Sequence, residues 1–113
     1  MNYYELEKTE TYSEISIIPP RFDTNAAPSV KAEITRLFSE ENTNILFSLK
    51  NAKYCDSSAL SALLLGHRLS KENNKKFIIY DLNESVLSLI RISKLDAVLK
   101  ISENKETALE LLK

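Results

Sequence analysis

The spacing of apolar and polar residues changes several times along the chain, and each change marks an element. Tyr3 to Thr9 reads as a first strand with Tyr4 and Leu6 on one face. Ser13-Glu14-Ile15-Ser16-Ile17-Ile18 alternates polar and apolar, the pattern of a half-buried strand. The short Glu10-to-Tyr12 connection predicts a hairpin, although it lacks the Asn-Gly signal. Pro19-Pro20 ends the second strand, because proline has no N–H to give a ladder. Arg21 to Asn25 reads as a loop, with Thr24 or Asn25 placed to cap a helix and Pro28 in its first turn. Val30, Ile34, Leu37 and Phe38 then recur at helical spacing, with Lys31, Glu33 and Arg36 off that face. Glu40 to Thr43 breaks the pattern, and the apolar run Asn44 to Leu49 reads as a buried strand.

After the stretch Tyr54-Cys55-Asp56-Ser57-Ser58-Ala59-Leu60, the residues from Leu60 to Leu69 read as a second helix with a wide leucine face. Gly66, the only glycine, lies inside it. An interior glycine costs about 1 kcal/mol relative to alanine, so a neighbouring backbone is expected to pass close by. Lys76 to Asp81 reads as another buried strand. Asn83 is placed to cap a third helix carrying Val86, Leu87, Leu89, Ile90 and Ile92. Val98 to Ile101 reads as a short strand, and Ser102 or Asn104 starts a last helix through Ala108, Leu111 and Leu112. The order β-β-α-β-α-β-α-β-α predicts an α/β fold, a single domain over residues 1–113. Its sheet is mixed and mostly parallel, of about five strands with four helices. Function in such sheets sits beyond the carboxyl ends of the strands, which is where the Asp56 turn and the Phe22-Asp23 loop fall.

Composition narrows the function classes. Charged residues make up 27% of the 113 positions and the formal net charge is −1 with the signs interleaved, which gives no footprint for direct nucleic-acid binding or for an anionic membrane. No apolar run is long enough for membrane insertion, and the residues from Met1 to Lys8 do not resemble a signal peptide. With one cysteine no internal disulfide is expected, which suits a cytoplasmic location. One His and one Cys make no metal cluster, there is no Gly-rich phosphate loop, and no nucleophile–base pair stands at a recognisable spacing. The chain therefore reads as a non-enzyme without a cofactor, and a small α/β enzyme or ligand carrier ranks last.

Asp56, Ser57 and Ser58 sit where a helix must begin, at free N–H groups and a partial positive charge. Simple capping accounts for such residues, at about 1 kcal/mol. A site made for an anion accounts for them as well. Cys55 reads as a small core residue. His67, nearly three turns along the helix, reads as surface or interface and is too far from Ser57 to form a triad. Tyr3 and Tyr4 read either as strand residues or as the edge of a weak homodimer.

In order along the chain, Phe22-Asp23-Thr24, the run from Asn44 through Leu69 centred on Asp56-Ser57-Ser58, and Asn83 through Asp96 resemble the STAS domain, and within it the bacterial anti-sigma factor antagonists. The resemblance covers nearly the whole chain. It implies a phosphorylation-controlled partner switch whose unphosphorylated form binds an anti-sigma factor that is also a serine kinase, with a phosphatase reversing the modification. It places the phosphoacceptor at Ser57 and makes Asp23, Asp56, Ser58 and Ala59 its supporting or partner-binding neighbours. The family usually has glycine where this chain has Ala59, whose methyl group would stand before a partner that approaches the backbone closely. The alternative is a STAS interaction subunit of a larger complex such as a lipid transporter, with Asp56-Ser57 as a contact and not an acceptor.

Overall fold

The computed structural model describes residues 2–113. Strands β1 (Tyr4–Lys8) and β2 (Tyr12–Ile17) form the antiparallel hairpin. They are followed by β3 (Arg21–Phe22), helix α1 (Ala27–Arg36), a π-helical turn (Leu37–Glu41) and β4 (Asn44–Ser48). Then come β5 (Tyr54–Cys55), α2 (Ser57–Glu72), β6 (Phe77–Tyr80) and α3 (Glu84–Ile92). A 3-10 turn (Leu95–Ala97), β7 (Lys100–Ser102) and α4 (Lys105–Leu111) complete the chain. The main sheet runs β1-β2-β4-β6-β7, parallel except for β1. The expected five-stranded mixed sheet with four helices is therefore present.

Alternation within the strands decides which helix covers which face. Ile15, Ile17, Ile45, Phe47, Phe77 and Ile79 point to one side and pack with Val30 and Ile34 of α1, Ala59, Ala62 and Leu63 of α2, and Val86 and Ile90 of α3. Leu46, Ile78 and Tyr80 point to the other side, where Ala108, Leu109 and Leu112 lay α4 against them. Glu14 lies on that second side and is buried there. Its carboxylate accepts from the Tyr80 hydroxyl and lies 3.1 Å from Lys105 Nζ. Tyr80→Phe leaves one buried carboxylate oxygen short of a donor and is expected to cost about 1–2 kcal/mol, readable as a lower urea midpoint with unchanged m.

Several expected boundaries move, each for a local reason. Neither Thr24 nor Asn25 caps α1. Ala26 holds that position without a side-chain bond, and the turn is made by Asp23, whose carbonyl oxygen accepts from Ala26 N (3.1 Å) and Ala27 N (2.9 Å). Helix α2 begins at Ser57, ahead of the leucines, because the Asp56 cap lies one residue before it. The last strand starts at Lys100, since Val98 and Leu99 hydrogen-bond back to Leu95 and close the 3-10 turn. Asn83 caps α3 as expected. Asn104, and not Ser102, caps α4. The Gly66 neighbour is a side chain and not a backbone: a Cβ built there would lie 2.5 Å from Phe77 Cζ.

Candidate functional site

The parallel pairing of two very short strands, unmarked in the sequence, builds the site. Residues Arg21 and Tyr54 are partners, as are Phe22 and Cys55. The Pro20 carbonyl oxygen accepts from Lys53 N (2.7 Å) and Tyr54 N (3.1 Å), which brings the end of the β2 segment onto the approach to α2. The Asp23 loop and the Asp56 turn therefore emerge side by side, as the sequence suggested.

The Asp56 backbone N–H donates to the Phe22 carbonyl oxygen at 3.4 Å, which ties the two together. Asp23 itself is occupied locally. Its Oδ1 accepts from Asn25 N at 3.0 Å and its Oδ2 lies 3.5 Å from Arg21 Nε. The Arg21 guanidinium in turn stands 4.2 Å from the centre of the Tyr54 ring.

Asp56 takes extended backbone geometry and caps α2. Its Oδ1 accepts from Ser58 N (2.9 Å), Ala59 N (3.1 Å) and Ser58 Oγ (2.5 Å). Burial works against its charge, but the bonds from Ser58 and Ala59, helped by the backbone of Thr24 in the neighbouring loop, outweigh burial and hold the carboxyl below its ordinary range. A depressed carboxyl pKa stabilises the fold at every pH above the unfolded value and loses that contribution as pH falls through the folded value. Asp56→Asn keeps an acceptor at the cap but removes the titration. Its stability curve is expected to be flatter than that of the wild type below about pH 4 in acid unfolding followed by circular dichroism.

The two serines after Asp56 are not equivalent. The Ser58 hydroxyl is committed to Asp56 and the residue is half-buried. Ser57 is exposed, and its hydroxyl makes no hydrogen bond among the described residues. Ala59 is fully buried, so its methyl group faces the core between α2 and the sheet and not an approaching partner. The steric obstacle expected at that position is absent.

Cys55 is buried, and burial followed by the Asp56 charge pushes its thiol up to about 12. It is a protonated core residue at neutral pH. Burial lowers the pKa of His67, with Lys71 and Lys100 adding to the effect. It lies ten residues along α2 from Ser57, about 15 Å at the usual helical rise.

Two further features lie on the neighbouring helices. Tyr54 and Ile92 are exposed, Ile92 by 78%, and flank a shallow depression of about 250 Å³ that Ser85, Ser88 and Leu89 also line. The apolar positions of its helix, Leu87 to Ile92, read from the sequence as mostly core, with some free to form a partner-binding face, and Ile92 is the most exposed of them. It lies two residues past buried Ile90, nearly opposite it around the helix, which is the signal that would have singled it out. The second feature is Lys31, on α1, whose Nζ donates to Ser61 Oγ at 2.7 Å, one turn along α2 from Ser57.

Among the described residues no group of three His, Cys, Asp or Glu side chains is placed to hold a metal ion, and no helix is long and apolar enough to cross a membrane.

A family model described as STAS domain matches residues 3–108. Among solved structures, an anti-sigma-factor antagonist (STAS) domain protein from Planctomyces limnophilus superposes with a TM-score of 0.84 at 15% identity, covering 100% of this chain and 99% of that one. The Bacillus cell fate determinant SpoIIAA in its phosphorylated form gives 0.74 at 17% identity, over 97% and 99%. A serine-to-glutamate variant of RsbS from Moorella thermoacetica gives 0.82 at 15% identity, over 98% and 95%. At these identities the structural likeness establishes the fold.

Proposed function

The chain belongs to the STAS domain family, and from that we propose that it is an anti-sigma factor antagonist whose exchange between partners is set by Ser57. Unmodified, it binds an anti-sigma factor that is also a serine kinase. Modified, it lets that partner go, and a phosphatase restores it. A location in the cytoplasm follows from such partners.

The observation that carries this reading is the contrast between adjacent hydroxyls. Ser57 is exposed and free to react, while Ser58 is held by the Asp56 cap. In the transfer, the γ-phosphoryl of ATP passes to Ser57 Oγ, the hydroxyl proton goes to a base of the kinase, and ADP leaves. Ser57 then carries about −1.5 to −2 charges at the start of α2, where the helix dipole tolerates them. The consequence falls on the partner. A surface fitted to a neutral hydroxyl between Asp56 and the Asp23 loop would meet a dianion among carboxylates. The exposed Tyr54, three residues before Ser57, and Ile92, across the same depression, supply apolar area for such a partner.

Incubation with the anti-sigma kinase and ATP tests the reading directly. The intact mass of the wild type and of Ser58→Ala is expected to rise by one phosphate, and that of Ser57→Ala is not. Equal incorporation into Ser57→Ala would overturn the assignment.

A further inference from the structure

We propose that Lys31 is the cation that answers the phosphate on Ser57, moving from the Ser61 hydroxyl to the phosphate when Ser57 is modified. The proposal rests on Ser57 being an acceptor and names how this chain registers the charge.

Lys31 projects from α1 across the α1–α2 contact and donates to Ser61 Oγ at 2.7 Å. Its partner is a neutral hydroxyl. Among the described residues no carboxylate lies within ion-pair distance of Lys31, whereas Arg21, Arg36, Arg68 and Lys105 each have one. Lys31, a half-buried residue whose ammonium is held on a serine, is therefore a charge without a counter-charge.

Ser57 and Ser61 stand one turn apart on the same face of α2. Side chains at that spacing have Cβ atoms about 5–6 Å apart and lean toward the helix start, which carries Ser61 and its bound ammonium toward Ser57. A lysine stem has rotational freedom enough to cover the remainder. The other charges around Ser57 do not offer this. Asp56 and Asp23 are anions. Arg21 is engaged by Asp23 and stacked on Tyr54. Arg68 lies three turns along α2 and pairs with Glu72 at 3.4 Å. Lys53, exposed just before β5, and Arg91, exposed on α3, also carry no ion pair, but neither is seated on α2. Lys31 is the cation already held on α2, one turn from Ser57, and it leaves only a hydroxyl to take the phosphate. The exchange alters the surface in two places, at Ser57 and one turn along α2 at Ser61, so a partner lying on α2 meets a rearranged contact as well as a new charge.

The test installs phosphoserine at position 57 during translation, so that no kinase is needed. The second ionisation of the phosphate is then followed by phosphorus NMR. It is expected about half to one pH unit lower in the wild type than in Lys31→Met, with Lys31→Arg restoring most of the difference. Ser61→Ala, which removes only the resting partner, is expected to keep the wild-type value or lie slightly below it. The same ionisation in Lys31→Met and the wild type overturns the proposal. So does an equal rise in Lys31→Met and Lys31→Arg, which would mark a packing effect and not a charge. Neither result bears on whether a kinase modifies Ser57, which the mass measurement decides separately.

Discussion

Ser57→Glu is expected to weaken binding of the anti-sigma kinase about 100-fold, roughly 3 kcal/mol, while leaving the thermal midpoint close to that of the wild type. The two halves of this expectation have different sources. In the free protein Ser57 is exposed and its hydroxyl is unused, so its replacement removes no internal bond. A negative side chain in the first turn of α2 also suits the helix dipole. Under a docked partner the same carboxylate is desolvated beside Asp56, which its hydrogen bonds hold ionised, and close to Asp23. A buried charge without a partner charge is strongly unfavourable. Ser57→Ala should bind like the wild type but resist release by kinase and ATP. Ser58→Glu is the informative control. It breaks the bond from Ser58 Oγ to Asp56 and is expected to lower stability, so it separates damage to the cap from damage to the interface.

Gly66→Val is expected to destabilise the fold by about 3 kcal/mol or more, the largest stability effect of the substitutions considered. Gly66 is fully enclosed where α2 crosses β6, and even a single Cβ there would meet the Phe77 ring at 2.5–2.6 Å. That ring cannot retreat freely. It is buried, with its centre 5.4 Å from that of Phe47 and 6.5 Å from that of Phe38. Alanine at 66 would gain about 1 kcal/mol of helix propensity, which offsets part of its own smaller clash. Valine gains little of this and adds two more methyl groups. Phe77→Leu in the Gly66→Val background should recover part of the loss. A double-mutant cycle in urea is expected to show a favourable coupling of about 1–2 kcal/mol between the two sites. Simple addition of the two single-variant losses would mean that the helix gives way instead of the ring.

Most of the sheet and its coverage could be read from the chain alone, because strands such as Ser13–Ile18 and Asn44–Leu49 announce themselves by period or by an unbroken apolar run. The capping role of Asn83 was legible for the same reason, since it precedes a clear helical stripe. Helix α2 was harder. Its buried stripe is Ala59, Ala62, Leu63, Gly66 and Ser70, mostly small residues that let the helix approach the sheet closely. The larger Leu64, which sequence reading placed on the core face, is 38% exposed. Following the leucines set the helix start too late, at Leu60 instead of Ser57.

The pairing of β3 with β5 was invisible because strands of two residues carry no period. The contrast between Ser57 and Ser58 was invisible for another reason. It depends on which hydroxyl the Asp56 carboxylate captures, and composition is the same for both. Lys31 and Ser61 lie 30 positions apart in sequence, so their contact follows only from the packing of α1 on α2.

If the state of Ser57 sets partner affinity, modification of that one hydroxyl must change binding. Calorimetric titration of the anti-sigma kinase into two samples of the full chain, one unmodified and one phosphorylated at Ser57, tests it most directly. Tight binding is expected to the first sample and at least about 100-fold weaker binding to the second. Equal affinities for the two samples would contradict it and would leave Ser57 a contact residue in front of a helix cap.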